Sequence, residues 1–167
     1  MTTKIRYAEG LKVLPVLAPV DTTTSAVSTE AVSLAQAHWC TFIVQFGNFT
    51  SDSTDTVVLT VESSTASATA ATDEAIAFSY RLSAAVATDS MGAITAATSD
   101  GATFGADSDD SKCVIIDVDP SYVAGKDTDA KFVRVVATPS SNVGALLISA
   151  LAFVEPRFPG ASILSAS

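Results

Sequence analysis

Charged side chains are scarce in this chain of 167 residues, where Asp, Glu, Lys and Arg together make up 16%. An average soluble domain carries about 25%. Hydrophobic residues reach 48% and the mean hydropathy is +0.39, although alanine, whose exposure costs little, supplies part of that value. A surface so poor in charge predicts that other subunits cover some of it. The length suits one domain with a core of its own.

Basic residues are the rarer kind of charge, with 9 Lys and Arg against 18 Asp and Glu. The net charge of -9 and the pI near 4.3 exclude nucleic acid as an expected partner, because phosphate contacts need clustered Lys and Arg. The only basic grouping is Lys4, Arg6 and Lys12 near the N-terminus. The negative charge is expected to keep the protein soluble and to repel other polyanions.

Long apolar runs are also missing, since none approaches the ~18 residues that cross a bilayer. The segment "LKVLPVLAPV" is broken by Pro15 and Pro19 and does not form a secretory signal. We therefore expect no membrane partner and synthesis in a host cytoplasm. Cys40 and Cys113 make no disulfide framework and are expected to be free thiols, with pairing left open if their strands are neighbours.

Catalytic motifs are absent as well. The only histidine, His38, precedes Cys40 by two residues, which on a strand places both side chains on one face, roughly 7 Å apart. No nucleophile elbow, papain-like signature or phosphate loop accompanies them. We expect His38 to be structural, the protein not to be an enzyme, and no cofactor to be bound.

Metal sites have few candidate ligands. One His and two distant Cys cannot supply the four ligands of zinc. Two acidic segments could offer oxygen to calcium, but neither has the EF-hand pattern, and solvated loops are the expectation. No pair of carboxylates stands out for glycosidase chemistry, and Glu62 is expected to face solvent. The two acidic segments contain Asp100, Asp107, Asp109 and Asp110, and Asp117, Asp119, Asp127 and Asp129.

Short runs of β pattern fill the chain from Ser25 onward. In "WCTFIVQF" (39–46) both faces are largely apolar, which predicts a central strand covered on both sides. "TVVLTVES" (56–63) alternates apolar and polar residues, as a half-buried strand does. Further strands are predicted at 25–35, 75–85, 113–119, 131–138 and 143–154, with a weak one in "GAITAAT" and one helical turn before Gly125.

These elements predict an all-β fold, an antiparallel two-sheet sandwich of jelly-roll type. Residues 1–24 are predicted to be an extended arm, residues 25–157 the sandwich domain and residues 158–167 a tail. The prolines of the arm forbid a helix and disfavour a central strand. The arm is expected either to cover the edge of its own domain or to reach a neighbour.

Three stretches carry a resemblance to a known family: "HWCTFIVQFGNFTSDSTDTVVLTVESS", "AIAFSYRLSA" and "CVIIDVDPSYVAGKDTDAKFVRVVATPSS", followed by an apolar strand ending in "EPRF". In layout and phrase, residues 25–157 resemble the capsid decoration (cement) proteins of tailed bacteriophages. The resemblance implies a β-sandwich that assembles as a homotrimer on the outside of the capsid. Its partner would be the major capsid protein, whose neighbouring capsomers it would tie together.

The arm is the expected contact with the shell or with another subunit, because an apolar, basic segment complements an otherwise acidic molecule. A carbohydrate- or receptor-binding module is the alternative, with Phe49, Phe104 and Tyr122 as aromatic residues in predicted loops. A tail or baseplate component is a further alternative that the sequence does not separate from a head protein. The contact residues predicted in the arm are Lys4, Arg6, Tyr7, Lys12, Leu14, Val16 and Leu17.

Overall fold

The computed structural model describes residues 10–22, 25–49, 55–65, 73–126, 129–140, 146–158 and 163–164, without the side chains of residues 106 and 107. Twelve strands and two short helices make up the described elements. The strands are β1 (Lys12–Asp21), β2 (Val27–Ser28), β3 (Val32–Ser33), β4 (Ala37–Phe49), β5 (Thr56–Ser64), β6 (Glu74–Ile76), β7 (Phe78–Leu82), β8 (Thr95–Ala97), β9 (Ala102–Gly105), β10 (Cys113–Val118), β11 (Phe132–Pro139) and β12 (Leu146–Pro156); the helices are α1 (Ala106–Asp109) and α2 (Pro120–Lys126).

The strands form two antiparallel sheets that pack face to face. The first sheet has the order β1-β12-β4-β10-β7-β8. The second has the order β2-β11-β5-β6, with β3 also pairing with β11 and β9 with β5. The predicted all-β two-sheet sandwich is confirmed, whereas the finer jelly-roll classification stays a prediction.

The core lies between the sheets and follows the alternation of the sequence. Val57, Leu59 and Val61 of β5 are each 0% exposed, as the pattern of that strand predicts. Facing them from the first sheet, Phe42 and Phe46 of β4 are 0% and 1% exposed. A β-sheet built on such residues is stable only when a second sheet covers its apolar face, and this is the arrangement seen.

The segment predicted as one strand at 75–85 divides between the two sheets. Residues Glu74–Ile76 pair with β5 in the second sheet, and Phe78–Leu82 pair with β10 in the first, so the chain crosses at Ala77. The strand predicted at 25–35 is likewise split into β2 and β3, which both pair with β11. Between β6 and β7 the alternation of Ile76, Phe78, Tyr80 and Leu82 continues through the break, so periodicity could not reveal it.

Two aromatic residues predicted in loops belong to the core instead. Phe49 is 5% exposed at the end of β4, and Phe104 is 2% exposed on β9, inside a segment predicted to be an acidic loop. The rings of Phe46 and Phe104 lie 5.3 Å apart between centroids, and Tyr80 meets Phe104 edge-on at 5.4 Å. This geometry is typical of packed aromatic cores.

Residues 12–21 of the predicted arm form the edge strand β1, which pairs with β12 along its length. Its outer edge carries Pro15 and Pro19, and proline is tolerated at a sheet edge because no ladder hydrogen bond is required there. Of the two alternatives for the arm, covering its own domain describes this part of it. Part of the predicted tail also packs back, since Leu164 forms a bridge with Val32 and Ile163 is 2% exposed.

An ion-paired cluster lies on the second sheet. Arg134 of β11, which is 6% exposed, faces Glu62 of β5 and donates from Nε and Nη2 to one carboxylate oxygen at 3.1 and 3.0 Å. Its Nη2 also pairs with Asp73. Glu62 is expected to face solvent, but its side chain is only 22% exposed and its carboxylate is bound by Arg134, which lies directly opposite on β11 although it is 72 residues away in sequence.

Candidate functional site

The outward side of the first sheet carries a contiguous apolar surface. The strand registers place Pro15, Leu151, Ile43 and Ile115 side by side in one row across four strands. The adjacent row places Val13 beside Phe153, followed by Thr41 and Asp117, and the first row continues from Ile115 to Arg81, so charged residues border the apolar part. We call this surface the open face and define it as Val13, Pro15, Ile43, Ile115, Leu151 and Phe153.

The open face is exposed to solvent in the described chain. Val13 is 47% exposed and Leu151 is 41% exposed, while Ile43, Ile115 and Phe153 are half-buried by one another. β4 is central, as its sequence predicts, but the expectation that both of its sides are covered is wrong within the described residues. The second sheet covers only the inward side of β4. The apolar side chains on the outward side of β4 are not covered by any other described element, although apolar residues on both sides of a strand are typical of a strand buried on both sides.

Charge is absent from all six residues of the open face. A shallow depression in it is lined by Leu11, Thr41, Ile43, Ile115 and Phe153. Contiguous exposed apolar side chains bordered by polar residues are typical of sites of protein contact. The open face therefore has the character of an interface.

A second feature lies at the corner of the same sheet, where β4, β10 and the start of α2 meet. It is a cavity of about 440 Å³ with an apolar floor that includes Ile76, Phe78, Val118 and Val123. We call it the corner pocket. At its rim lie Trp39, Asp117, Asp119 and Tyr122.

Hydrogen bonds hold the rim of the corner pocket in place. The indole Nε1 of Trp39 donates to Oγ1 of Thr41 at 3.2 Å, and that hydroxyl donates to Oδ1 of Asp117 at 2.6 Å. Asp119 accepts hydrogen bonds from the hydroxyl and the backbone amide of Ser121, and these hold the pKa of Asp119 below its usual value. The hydrogen bonds from Thr41 and Ser121 thus fix both carboxylates in position.

Both rim aromatics are open to solvent. Trp39 is 40% exposed and Tyr122 is 45% exposed. Lys126, one turn along α2, places its ammonium 5.7 Å from the centre of the Tyr122 ring, within the range of a cation–π contact.

The structure does not bring His38 and Cys40 together as a catalytic pair. Glu155 pairs with Trp39 and Pro156 with Ala37, so β4 has one extra residue at His38, as in a β-bulge. The bulge turns His38 to the exposed side while Cys40 stays 0% exposed, so the expectation that they share a face is wrong. Burial, together with the nearby Asp117, raises the pKa of the Cys40 thiol to about 12.

The two cysteines lie on neighbouring strands but do not pair. Both are free, because Cys40 faces Val118 while Cys113 faces Gln45, five positions further along β4. Five residues of a strand span roughly 17 Å, far beyond disulfide geometry. A disulfide between Cys40 and Cys113, which the sequence leaves open, is therefore excluded.

Several carboxylates of the acidic segments are bound by other groups of the same chain. Asp109 accepts from the amide of Gly105 and pairs with Lys112, Asp110 accepts from the amide of Phe49, and Thr98 donates to Asp100. Among the described residues no group of three or more His, Cys, Asp or Glu could hold a metal ion, while Asp127 and the side chain of Asp107 lie outside the described parts. In the same part of the chain no helix has both the length and the apolar character that a membrane crossing requires.

The contact residues predicted in the arm fall into three groups. Lys4, Arg6 and Tyr7 lie outside the described residues. Val16 is 2% exposed, so its side chain belongs to the core of its own domain, and Leu14 and Leu17 pack partly against that core. Lys12 is half-buried at the start of β1. Contact between these residues and a shell or another subunit stays a prediction.

Sequence reasoning missed both features of the site. The sequence places Trp39 and Ile43 on one face of a strand that is apolar on both sides, and it therefore predicts that both are covered. The signal for the open face was present in "LLISALAFV", where Leu147, Leu151 and Phe153 alternate with residues that are buried. The corner pocket could not be inferred, since it depends on where α2 lies against the sheet.

Comparisons with known proteins identify no family for this chain. No protein-family model matches it and no curated protein matches it. One similar solved structure is titled "Structure of infectious bursal disease virus Gt strain". The two chains are 8% identical, the alignment covers 94% of this chain and 44% of that chain, and the TM-score is 0.24. This chain thus spans less than half the length of that viral chain, and a likeness of this size carries no argument about function.

Proposed function

We propose that this protein is a structural component of a bacteriophage virion, which binds the outside of the capsid as a homotrimer and stabilises it by joining neighbouring capsomers. The observation that carries the proposal is the open face, an uncharged apolar surface on a rigid sheet. The resemblance of residues 25–157 to decoration proteins supports the virion role. Such a role requires binding alone and no catalysis.

Electrostatics favour a second copy of the chain as the occupant of the open face. Each copy carries a net charge of -9, so two copies repel one another wherever their acidic surfaces approach. The open face has no charge, and it allows close contact without that repulsion. The prolines of β1 matter as well, because Pro15 and Pro19 hinder the addition of a strand at its edge. Contact through the open face is favoured instead, and around a three-fold axis each copy would share that face with two neighbours.

The glycan-binding alternative loses most of its support. It rested on three aromatic residues in predicted loops, and Phe49 and Phe104 are core residues, 5% and 2% exposed. Tyr122 alone of the three is open to solvent, at 45%.

Binding to capsids tests the proposal. Capsids of the phage that encodes this chain would be prepared without the protein and mixed with the wild type, with Leu151→Asp, or with Val86→Asp. We expect the wild type to sediment with the capsids and to raise the temperature at which they open, because a ligand that binds only the intact shell stabilises it. Leu151→Asp should do neither, since it places a charge in the middle of the open face.

Val86→Asp is the matched control. Val86 is 57% exposed on the connection between β7 and β8, away from the open face, and is expected to tolerate aspartate with normal binding. Circular dichroism and a melting curve would establish that both variants are folded. Equal retention of folded Leu151→Asp and wild type would contradict the use of the open face, and failure of the wild type to bind would contradict the virion role.

The predicted contacts of the arm need a narrower deletion. Removing residues 1–20 would take away most of β1 and the core residue Val16, so a loss of binding could reflect unfolding. Removing residues 1–9 leaves β1 intact and deletes Lys4, Arg6 and Tyr7. Weaker retention on capsids with unchanged thermal stability would support these contacts, whereas unchanged retention would contradict them.

A further inference from the structure

The corner pocket is not used by the proposed function. It lies beside the open face, is built from different residues, and holds together two kinds of group that a single domain rarely leaves exposed at one point. These are the aromatic rings of Trp39 and Tyr122 and the carboxylates of Asp117 and Asp119. Its volume of about 440 Å³ is within the range of sites that bind small ligands or single side chains.

The floor of the pocket selects for an apolar stem. Val118 and Val123 are 4% and 0% exposed, and Ile76 and Phe78 are 6% and 8% exposed, so the floor is made by side chains of the core itself. A group that carries hydroxyls along its length would lose their hydrogen bonds to water here without replacement. A chain of methylene groups would lose nothing.

The rim selects for a positive charge at the end of that stem. Carboxylates and aromatic faces both attract cations, and each attraction strengthens where water is partly excluded. No ion pair of Asp117 or Asp119 occurs among the described residues; their hydrogen bonds come from the Thr41 and Ser121 hydroxyls and the Ser121 amide. Lys126 shows that the ring of Tyr122 already attracts a cation from within the chain.

We infer that the corner pocket binds a lysine or arginine side chain of a partner polypeptide, with the alkyl stem on the apolar floor and the charged end between the rim carboxylates and aromatic rings. Charge complementarity supports this occupant, because the pocket opens on a protein of net charge -9, which attracts basic segments from a distance. Arginine fits better than lysine, since its planar guanidinium both stacks on aromatic rings and bridges carboxylates. The inference stands whether or not the protein belongs to a virion.

The hydrogen-bonded chain from Trp39 through Thr41 to Asp117 assigns a role to each residue. Asp117 would contact the cation, and Trp39 would cover its stem. Thr41 would be a positioning residue, because its hydroxyl fixes both of the others without reaching the ligand. Preorganisation of this kind lowers the entropy lost when a flexible side chain binds.

Trp39 is the only tryptophan in the chain, so its fluorescence reports on this pocket alone. The full-length protein would be titrated with N-acetyl-arginine amide, and in parallel with N-acetyl-citrulline amide, which has nearly the same shape without the charge. Methyl glucoside would represent a sugar. We expect a saturable change in Trp39 fluorescence with the arginine probe. The citrulline probe should bind more weakly by about tenfold or more.

Variants separate the pocket from general electrostatic attraction. Asp117→Asn is expected to lower the affinity for the arginine probe by about tenfold. Asp100→Asn, which removes a carboxylate outside the pocket, should leave the affinity for this probe unchanged. Lys126→Ala should bind the probe more tightly, because it removes the competing cation. In Thr41→Val the difference in affinity between the arginine and citrulline probes should become smaller, although the substitution removes no group that contacts the ligand.

Three outcomes would overturn the inference. These are equal binding of the citrulline and arginine probes, tighter binding of methyl glucoside than of arginine, and the absence of a fluorescence change in both the wild type and Lys126→Ala. Binding that is equally weakened by Asp117→Asn and Asp100→Asn would also contradict it, since attraction to the whole protein would then explain the signal. The result is independent of the capsid-binding experiment, so either proposal can fail alone.

Discussion

Replacing Arg134 with methionine should destabilise the protein severely. The side chain of Arg134 is 8% exposed, and those of its partners Glu62 and Asp73 are 22% and 12% exposed. Arg134→Met keeps an unbranched apolar stem but removes the guanidinium, and it leaves two carboxylates close together with little water around them. Removal of one partner from a buried ion pair typically costs about 3–5 kcal/mol of unfolding free energy.

The size of this effect has a specific cause that further variants can isolate. If the penalty comes from the two stranded carboxylates, Arg134→Met combined with Glu62→Gln and Asp73→Asn should regain half or more of the lost stability. Glu62→Gln with Asp73→Asn alone should also be destabilised, because it leaves the guanidinium without a negative partner. The coupling between the sites is obtained from the full set of variants.

Urea unfolding followed by circular dichroism measures these differences. The midpoint should fall in Arg134→Met while the slope with denaturant stays constant, as expected when stability changes and the unfolded state does not. A loss smaller than about 0.5 kcal/mol in Arg134→Met would refute the reasoning, since surface changes are typically of that size. So would a triple variant no more stable than Arg134→Met.

Three further predictions follow from single positions. Gly101 has a φ of 92°, and a Cβ there would lie 2.5 Å from the carbonyl oxygen of Leu59, so Gly101→Ala should lose about 1–3 kcal/mol in thermal unfolding. Gly125→Ala, in α2 with open space around it, should be neutral or gain up to about 1 kcal/mol, and equal effects at both positions would contradict the argument. A thiol reagent should modify Cys113 but not Cys40 in the native protein, because the pKa of Cys40 is about 12 and the residue is 0% exposed; rapid modification of two thiols would contradict this. Between pH 9.0 and about 12 the folded protein keeps the Cys40 proton while the unfolded chain loses it. The free energy of unfolding should therefore fall in this range by about 1.4 kcal/mol per pH unit more in the wild type than in Cys40→Ala. Parallel pH profiles of the two proteins would contradict this prediction.

Much of the fold could be predicted because its signals are local. The alternation of β5 and the apolar side of β4 depend on neighbouring residues in sequence, and they identify Val57, Leu59, Phe42 and Phe46 as core residues. The crossing at Ala77 and the strand β9 could not be predicted in this way. A chain that changes sheets keeps the same period, and "ATFG" is too short and too polar in its surroundings to differ from a loop.

The candidate site depends on strand order and register, which local sequence patterns do not determine. That Leu151, Ile43 and Ile115 form one row is a matter of strand order and register, which link residues far apart in the chain. The bulge at His38 is a second example, because a single extra residue reverses which side each side chain occupies. The shortage of charge predicts that other subunits cover part of the surface, and this prediction does not specify which part.

The mass of the protein in solution tests the central claim, that the open face is a surface for assembly, most directly. Sedimentation equilibrium at micromolar concentration should give three times 17.1 kDa, about 51 kDa, for the wild type and for Val86→Asp. Folded Leu151→Asp should give the mass of a single chain, 17.1 kDa. A wild type that sediments as a monomer, or a folded Leu151→Asp that remains a trimer, would contradict the account.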